Sequence, residues 1–488
     1  MYVNIDINSN LVPFYNSLLD KETVTEEDVK KFLDFYDGTY IDDLLFDIFC
    51  QHSATDTVFW DSYATKYEQT MENGIAVDYK KQFAGLYSLQ KKHGIDPFAV
   101  WFKECRNRGM RPWISIRMND SHEPDTETSF LRSDFFYEAK EKGWMLGEQY
   151  DYAATHFNYA VSEVRRRMLG YIEEQLNRYD VDGLELDFMR EMYCFDYLND
   201  NREECISIMN GFISDTKDIV TAAEKKYGHK IRLGVRLNRD IEQSRFIGFD
   251  ARAWAREGWV DLIVPSPRWA SSDSRMPMDV WRRELPNVEV IPCVDTVVVN
   301  KFYGNAFATP ELTRGNVGGY LANGAHDIYL FNYFGDPHDN KEYYEARDRE
   351  VHRTCKDLKV IESLPVRYAV MEQEERMIPQ GFVGDQPLPL VMDGGVKQLT
   401  INTAHISPDR EVSVVLGFTK GTPDDVTVTL NGVLCQGFSE IELPEPVKVV
   451  PQGTKCYRCP ATASLATKQL FEFVGQDAEI IWVEISVK

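Results

Sequence analysis

The segment 117–122, Arg-Met-Asn-Asp-Ser-His, places Asn119, Asp120 and His122 directly after an apolar run. A histidine near a carboxylate can act as a general base, because the carboxylate orients the imidazole and shifts its pKa. Asp6 adds a second group that can handle protons. A hydrolase needs one group to protonate the leaving oxygen and another to activate water or attack directly. The candidate catalytic residues are therefore His122, Asp120 and Asp6, together with Glu185 and Asp187, and a solvated loop histidine is the alternative for His122.

The segment 182–187, Asp-Gly-Leu-Glu-Leu-Asp, carries further carboxylates on a predicted strand. Strand side chains alternate, so its two leucines face one side while Glu185 and Asp187 face the other. Arg117 and Arg236 occupy inward positions on the two neighbouring strands. Because buried charges need partners, we expect both arginines to pair with Glu185. Glu185 is then mainly structural, while Asp187, nearer the strand end, is a candidate for substrate contact.

Several polar and aromatic residues at predicted strand ends are candidates for substrate binding. Arginine binds planar carboxylates in a bidentate manner, so Arg190 and Arg239 favour a substrate carboxylate, with internal ion pairs as the alternative. A tryptophan at a loop rim can stack on a sugar ring or simply pack. The candidate substrate-binding residues are Asn119, Glu185, Asp187, Arg190, Asn238, Trp269 and Asn332.

These residues belong to a regular alternation of short apolar runs and helical patterns that extends to about residue 365. The predicted strands are Tyr2–Asn8, Leu44–Cys50, Pro112–Met118, Gly183–Phe188, Ile231–Leu237, Leu262–Pro265, Val288–Val294 and Ile328–Tyr333. Eight such units predict an α/β fold, the (β/α)8 TIM barrel, whose active site lies on the loops that follow the strands. The long stretch 119–157 is one of these loops, and its length indicates a functional role.

Beyond residue 365 the pattern changes to alternating apolar and polar positions with turn signals such as Asn431-Gly432. We therefore predict two domains, a (β/α)8-barrel catalytic domain over residues 1–365 and an antiparallel β-sandwich over residues 366–488. The total length of 488 residues also favours two domains over one.

Composition limits the partners. A formal net charge of −24 disfavours nucleic acid and anionic membrane surfaces. The N-terminus has no signal-like segment and the nine cysteines are scattered, which predicts a cytoplasmic protein with reduced thiols. No HxH pair is present, so we expect no metal and no other cofactor. A lyase is disfavoured too, because no predicted strand has a lysine in its inward row.

The segments 117–122 and 181–190 together resemble those of bacterial family-10-like glycoside hydrolases. The closest resemblance is to glycoside hydrolase family 156, the barrel exo-sialidases, and it covers residues 1–365. It implies an exo-acting, inverting enzyme that releases a terminal sialic acid from an oligosaccharide or glycoconjugate.

The resemblance also implies roles for individual residues. His122 would activate water with help from Asp120, and Asp6 would be the other catalytic group. Arg190 would bind the sialic acid carboxylate, and Asn332 would line the pocket. Two alternatives stay open: an exo-glycosidase of the same barrel type acting on a neutral sugar, and a non-catalytic carbohydrate-binding barrel. The sequence also leaves open the linkage and whether the protein is a monomer or a homodimer.

Overall fold

A computed structural model describes residues 1–72, 80–120, 132–267, 273–300, 304–333, 341–371, 378–445 and 450–488. Two large sheets organise these residues. The first has ten strands, almost all parallel, and the second has eight antiparallel strands.

The first sheet closes into a barrel. Its strands are β1 (Tyr2–Ile5), β2 (Asp43–Cys50), β3 (Arg111–Arg117), β4 (Gly183–Asp187), β5 (Arg232–Asn238), β6 (Leu262–Ser266), β7 (Glu289–Val290, continuing as Cys293–Asp295) and β8 (Tyr329–Phe331). The two segments of β7 count as separate strands, and a two-residue strand, His52–Ser53, pairs antiparallel with β2 and completes the ten. Each strand pairs in parallel with the next. The first half of β7 pairs with β6 and its second half with β8, which returns to β1. The predicted (β/α)8 barrel is confirmed.

Helices connect the strands on the outside of the barrel. They are α1 (Val12–Ser17), α2 (Glu26–Lys30), α3 (Tyr63–Glu72), α4 (Lys80–Tyr87), α5 (Pro97–Asn107), α6 (Asp134–Lys142), α7 (Ser162–Arg178), α8 (Arg202–Tyr227), α9 (Ile241–Phe246), α10 (Ala251–Glu257), α11 (Met278–Glu284), α12 (Pro310–Ala322), α13 (Lys341–Thr354) and α14 (Leu358–Ser363). Capping residues and glycines in the left-handed conformation define where these helices begin and end. The long helix α8, for example, begins after the Asn201 cap and stops at Gly228, which has a left-handed φ of 76°.

The interior of the barrel contains a small apolar cluster separate from the main core. Its members are Tyr2, Leu45, Trp113, Leu262, Val264, Ile291, Cys293, Tyr329 and Phe331. The opposite rows, such as Leu184 and Leu186, belong to the core outside the barrel. The alternation predicted for β4 is therefore confirmed. Gly183 makes room for the indole, since a Cβ there would lie 2.1 Å from a Trp113 ring atom.

The first strand is shorter than predicted, because β1 ends at Ile5 and Asn8 lies on a helical turn over Ile7–Leu11. Asp6 causes the change: its carboxylate accepts a hydrogen bond of 2.6 Å from the Ser9 amide and so caps the turn. This places Asp6 at the carboxyl end of β1, at the barrel mouth.

The second sheet consists of β9 (Val366–Met371), β10 (Leu390–Asn402), β11 (Val412–Lys420), β12 (Val426–Leu430), β13 (Val433–Leu434), β14 (Ser439–Ile441), β15 (Lys455–Ala461) and β16 (Lys468–Val487). The long strand β16 pairs with β10 and β12 along its first half and with β9 and β11 along its second. The predicted appended antiparallel β domain is confirmed. Its start at residue 366 stays a prediction.

Two further observations concern the chain as a whole. All nine cysteines are free and buried. Within the described ranges, no helix has both the length and the apolar character needed to span a bilayer.

Candidate active site

A single buried guanidinium, that of Arg117, gathers three carboxylates at the barrel mouth. Its Nη2 donates to Asp6 at the end of β1, and its Nε lies 3.0 Å from Asp47 Oδ2 on β2. Its Nη1 donates to Asp120 Oδ2 at 3.3 Å. Arg117 is only 2% exposed. Three adjacent strands thus direct four charged side chains to one point, which we call the Arg117 cluster.

The three carboxylates of the Arg117 cluster share the Arg117 guanidinium, and the pKa values of two of them differ. Burial and the neighbouring carboxylates Asp6 and Asp120 raise the pKa of Asp47 well above its usual value. Burial acts on Asp6 in the same direction. For Asp6, however, the Arg117 charge and the Ser9 amide outweigh it and hold the pKa below its ordinary range. The pKa values of Asp47 and Asp6 are therefore shifted in opposite directions, a separation that can support acid and base chemistry.

Asp120 is also held by the last residue of β2 and by the residue that follows it. The Cys50 thiol donates to Asp120 Oδ2 at 3.2 Å, and Gln51 Nε2 donates to the Asp120 main-chain oxygen at 2.8 Å. Burial and the Asp120 charge raise the pKa of Cys50 well above its usual value. Cys50 is therefore a neutral hydrogen-bond donor and not a thiolate nucleophile.

Sequence reasoning missed Asp47, although the signal was present. Applied to β2, the alternation that identified the inward rows of the neighbouring strands places Asp43, Leu45 and Asp47 inside the barrel. Leu45 is part of the interior cluster, as this parity requires.

The expected pairing of Arg117 and Arg236 with Glu185 is wrong. Arg236 Nη1 donates to both oxygens of Asp187, at 2.9 and 3.1 Å, and Arg117 joins the cluster described above. The strand register gives the reason. Asp187 is level with Arg117 on one side and with Arg236 on the other, whereas Glu185 is level with Ser115 and Gly234.

Glu185 lies one layer deeper, under the mouth. Its Oε2 accepts hydrogen bonds from Ser115 Oγ at 2.6 Å and from the Tyr329 hydroxyl at 3.0 Å. Burial and the negative charge of Asp187 raise the pKa of Glu185 to about 7. With 1% exposure, Glu185 occupies a supporting position below the mouth.

Asp187 orders the loop that follows β4. Its Oδ1 accepts hydrogen bonds from the amides of Met189 and Arg190, both at 2.9 Å. Arg190 then reaches the Arg117 cluster, with Nε 3.7 Å from Asp120 Oδ2 and Nη1 3.6 Å from Glu191 Oε1. The structure thus brings together Asp120, Asp187 and Arg190, and the ion pair of Arg190 with Glu191 foreseen as the alternative is present.

Asn119 joins the loops after β3 and β4. Its Nδ2 donates to the carbonyls of Phe157 and Tyr193, at 3.0 and 2.9 Å, and its Oδ1 accepts from the Phe157 amide at 2.8 Å. The residue is 1% exposed. In the structure Asn119 positions these two loops.

Two other asparagines lie on the far side of the mouth. Asn238, at the end of β5, accepts a 3.1 Å hydrogen bond from the Asp240 amide. Asn332, directly after β8, has a left-handed φ of 60° and donates to Asp295 on β7 at 3.1 Å. Asn332 is only partly buried, so it can contact a ligand, whereas Asn238 is buried.

A second histidine, His156, lies in the predicted functional loop and was missed from sequence. Its Nδ1 lies 3.1 Å from the Tyr193 carbonyl, and its Nε2 lies 3.6 Å from Glu191 Oε2. His156 thereby extends the polar network that runs from Asp120 through Arg190 and Glu191.

Two predicted residues, His122 and Trp269, lie outside the described residues. Their roles stay predictions. Within the described part of the chain, no group of three or more His, Cys, Asp or Glu side chains is arranged to hold a metal ion.

No family model and no curated protein sequence matches this chain. Several solved structures are similar to it. Alpha-L-fucosidase isoenzyme 2 from Paenibacillus thiaminolyticus is similar over 72% of this chain and 48% of its own, with 12% identity and a TM-score of 0.44. Isoenzyme 1 from the same organism is similar over 98% of this chain and 96% of its own, with 12% identity and a TM-score of 0.36. An Anoxybacillus alpha-amylase is similar over 97% of this chain and 98% of its own, with 11% identity and a TM-score of 0.37. This chain thus spans about half of the first of these proteins.

Proposed function

We propose that this protein is a glycoside hydrolase that releases a terminal acidic sugar, sialic acid, by an exo-acting, inverting mechanism. The observation that carries the proposal is the Arg117 cluster. It gathers Asp6, Asp47 and Asp120 at the carboxyl ends of the strands, where barrel enzymes hold their catalytic groups.

In this proposal His122 activates the attacking water with help from Asp120. Asp120 is held in place by Arg117 and Cys50 and precedes His122 by two residues, so the base would start from a rigid support. A fixed carboxylate beside an imidazole stabilises the imidazolium that forms when the base takes a proton.

Asp6 is the member of the cluster that we assign to the leaving oxygen. It is 7% exposed, whereas Asp47 is completely buried. In the free protein the pKa of Asp47 is raised and that of Asp6 is lowered. An acidic substrate brings a further negative charge to the mouth, which raises the pKa of Asp6 and favours its protonated form when substrate is bound. The free protein would hold Asp6 ionised, and the bound substrate would convert it to an acid.

Arg190 is the residue that we assign to the substrate carboxylate. It extends from the β4 loop to the same mouth, its side chain is 15% exposed, and its main-chain amide is fixed by Asp187. A guanidinium presents paired N–H donors that match the two oxygens of a carboxylate. Sialic acid has such a carboxylate, and neutral sugars do not.

The test is hydrolysis of an α-linked aryl sialoside, compared with a panel of neutral aryl glycosides. Proton NMR of the first-formed sugar should show the β anomer, as inversion requires. We expect His122→Ala and Asp6→Asn to lose most of the activity. Asp37→Asn should retain it, since Asp37 is a surface carboxylate paired with Arg108 before β2.

Each other outcome overturns a defined part of the proposal. Turnover of neutral glycosides alone replaces the sialidase with a neutral-sugar glycosidase. Sugar binding without turnover replaces the enzyme with a carbohydrate-binding barrel. A first-formed α anomer excludes inversion, and wild-type activity in His122→Ala removes the assigned base.

A further inference from the structure

A small cavity of about 150 Å³ lies beside the barrel mouth. Arg239, from the loop after β5, and Arg275, from the loop after β6, both line it. The third side is closed by the segment 378–385, which leads from β9 towards β10 and contributes Asp385. Two guanidiniums and two carboxylates, those of Asp240 and Asp385, therefore meet at a cavity that lies outside the Arg117 cluster.

Arg275 is incompletely paired at this cavity. Its Nη2 donates to Asp385, while its Nη1 is buried and has no hydrogen-bond partner within the ranges described. The side chain of Arg275 is 13% exposed, and that of Asp385 is 62% exposed. A buried guanidinium nitrogen without an acceptor is unfavourable, so an acceptor that reached this N–H group would stabilise the site.

A buried carboxylate, Asp273, fixes the two arginines next to each other. Its Oδ2 lies 3.3 Å from Arg239 Nη1, and its Oδ1 accepts a 2.7 Å hydrogen bond from the Arg275 main-chain amide. Burial and the neighbouring Arg239 charge lower the pKa of Arg275 and outweigh the opposing effect of the Asp273 carboxylate. Asp240 also lines the cavity, but its Oδ1 accepts the amides of Glu242 and Gln243 as the cap of α9.

We propose that this cavity binds the carboxylate group of a ligand between Arg239 and Arg275, and that Asp385 competes with the ligand for Arg275. The chain itself supplies the precedent, because the group that Arg275 holds is a carboxylate. A cavity of about 150 Å³ is smaller than sites that enclose a whole small molecule, so it accommodates an acidic head group. The inference does not rest on the proposed glycosidase activity.

Asp385 is suited to be displaced. The Asp385 carboxylate is 62% exposed and stays largely hydrated, so exchanging it for a ligand carboxylate on Arg275 costs little. The segment does not depend on Asp385 for its position. Phe382 packs on Phe246 with ring centroids 5.5 Å apart, and the Gln380 amide donates to the Tyr197 hydroxyl at 3.1 Å. Asp385 can therefore turn outward while the segment keeps its place on the barrel.

The test is titration of the full-length protein with acetate, followed by saturation-transfer NMR. Wild type should bind acetate, and Arg275→Gln should weaken binding at least tenfold. Asp385→Asn should tighten it several-fold, because the internal competitor is removed. Arg283→Gln is the matched control: Arg283 is 66% exposed, its contact is with Glu284, and its loss should leave acetate binding unchanged.

Opposite changes in acetate affinity for Arg275→Gln and Asp385→Asn distinguish this proposal from a general loss of structure. A folding defect in Arg275→Gln would weaken binding but would not explain tighter binding by Asp385→Asn. Equal acetate affinity in all four proteins, or weaker binding by Asp385→Asn, overturns the proposal. Inorganic phosphate that displaces acetate at lower concentration than acetate itself overturns the assignment to a carboxylate.

Discussion

Arg236 and Asp187 form a buried ion pair between adjacent barrel strands, with Nη1 2.9 Å from Oδ2 and both side chains at most 1% exposed. The same carboxylate accepts the amides of Met189 and Arg190. One ion pair therefore fixes the start of the β4 loop, and with it the position of Arg190 beside Asp120.

Removal of one partner of this ion pair should lower the stability of the folded protein strongly. Arg236→Met leaves the Asp187 carboxylate buried without its counter-charge, and we expect the free energy of unfolding to fall by about 3–5 kcal/mol. Arg106→Met is the control, since Arg106 pairs with Asp180 and Asp182 with its side chain 33% exposed. That change should cost at most about 1 kcal/mol. Urea denaturation of both variants checks this, and equal costs would contradict the structural role of the pair.

Glu185 should make stability depend on pH. Its pKa is raised from 4.5 to about 7 in the folded protein, so the folded state holds this proton more tightly than the unfolded chain. The resulting stabilisation is complete below the unfolded pKa of 4.5 and is lost as the pH rises through about 7. Glu185→Gln cannot ionise and lacks this dependence. Relative to wild type, the variant should gain stability between about pH 5 and 8 in urea denaturation. A constant difference would show that Glu185 does not titrate in this range.

The two carboxylates that pair with Arg117 Nη2 and Nε should respond differently to amide substitution. Burial raises the pKa of Asp47 and so favours its neutral form. Asp47→Asn keeps a neutral group of similar shape, so we expect kcat/KM to fall by less than about tenfold. Asp6→Asn removes an ionised group assigned to proton transfer, and a loss of about 100-fold or more is expected. Sialoside hydrolysis measures both, provided that circular dichroism shows both variants to be folded. A larger loss for Asp47→Asn would reverse the assigned protonation states.

Gly183 should tolerate no side chain. In Gly183→Ala the added methyl would lie 2.1 Å from a Trp113 ring atom inside the barrel, and overpacking of this kind costs about 1–3 kcal/mol or more. Gly211→Ala in the helix α8 is the control, since a Cβ there has nothing within 4 Å. Alanine stabilises a helix interior by about 0.5–1 kcal/mol, so the two variants should shift the thermal midpoint in opposite directions. In a Trp113→Leu background, the cost of Gly183→Ala should decrease.

Side-chain alternation predicted the inward rows of the strands correctly but did not predict their partners. Ser115, Glu185 and Arg236 are all buried on the interior side, as the pattern indicates. The predicted partner of Arg236 was wrong because alternation is a property of a single strand, whereas side-chain pairing between strands depends on the register of the two strands. A shift of one inward position exchanges Glu185 for Asp187.

The first strand shows a different limit of prediction from sequence, because its end could not be located from the alternation alone. Its alternation extends to Asn8, and nothing in the apolar pattern ends it earlier. The Asp6 carboxylate binds the Ser9 amide and starts a helical turn, so a local hydrogen bond outweighs the strand pattern.

The sequence by itself determined the eight strand–helix units, the presence of an appended antiparallel β domain, and the rows of polar side chains inside the barrel. These features follow from local periodicity and composition. Only the tertiary structure decided that Asp6, Asp47 and Asp120 share Arg117, and that Asp385 reaches Arg275 from the segment beyond β9. Contacts between distant segments depend on barrel closure, strand register and chain crossing, and local periodicity does not encode them.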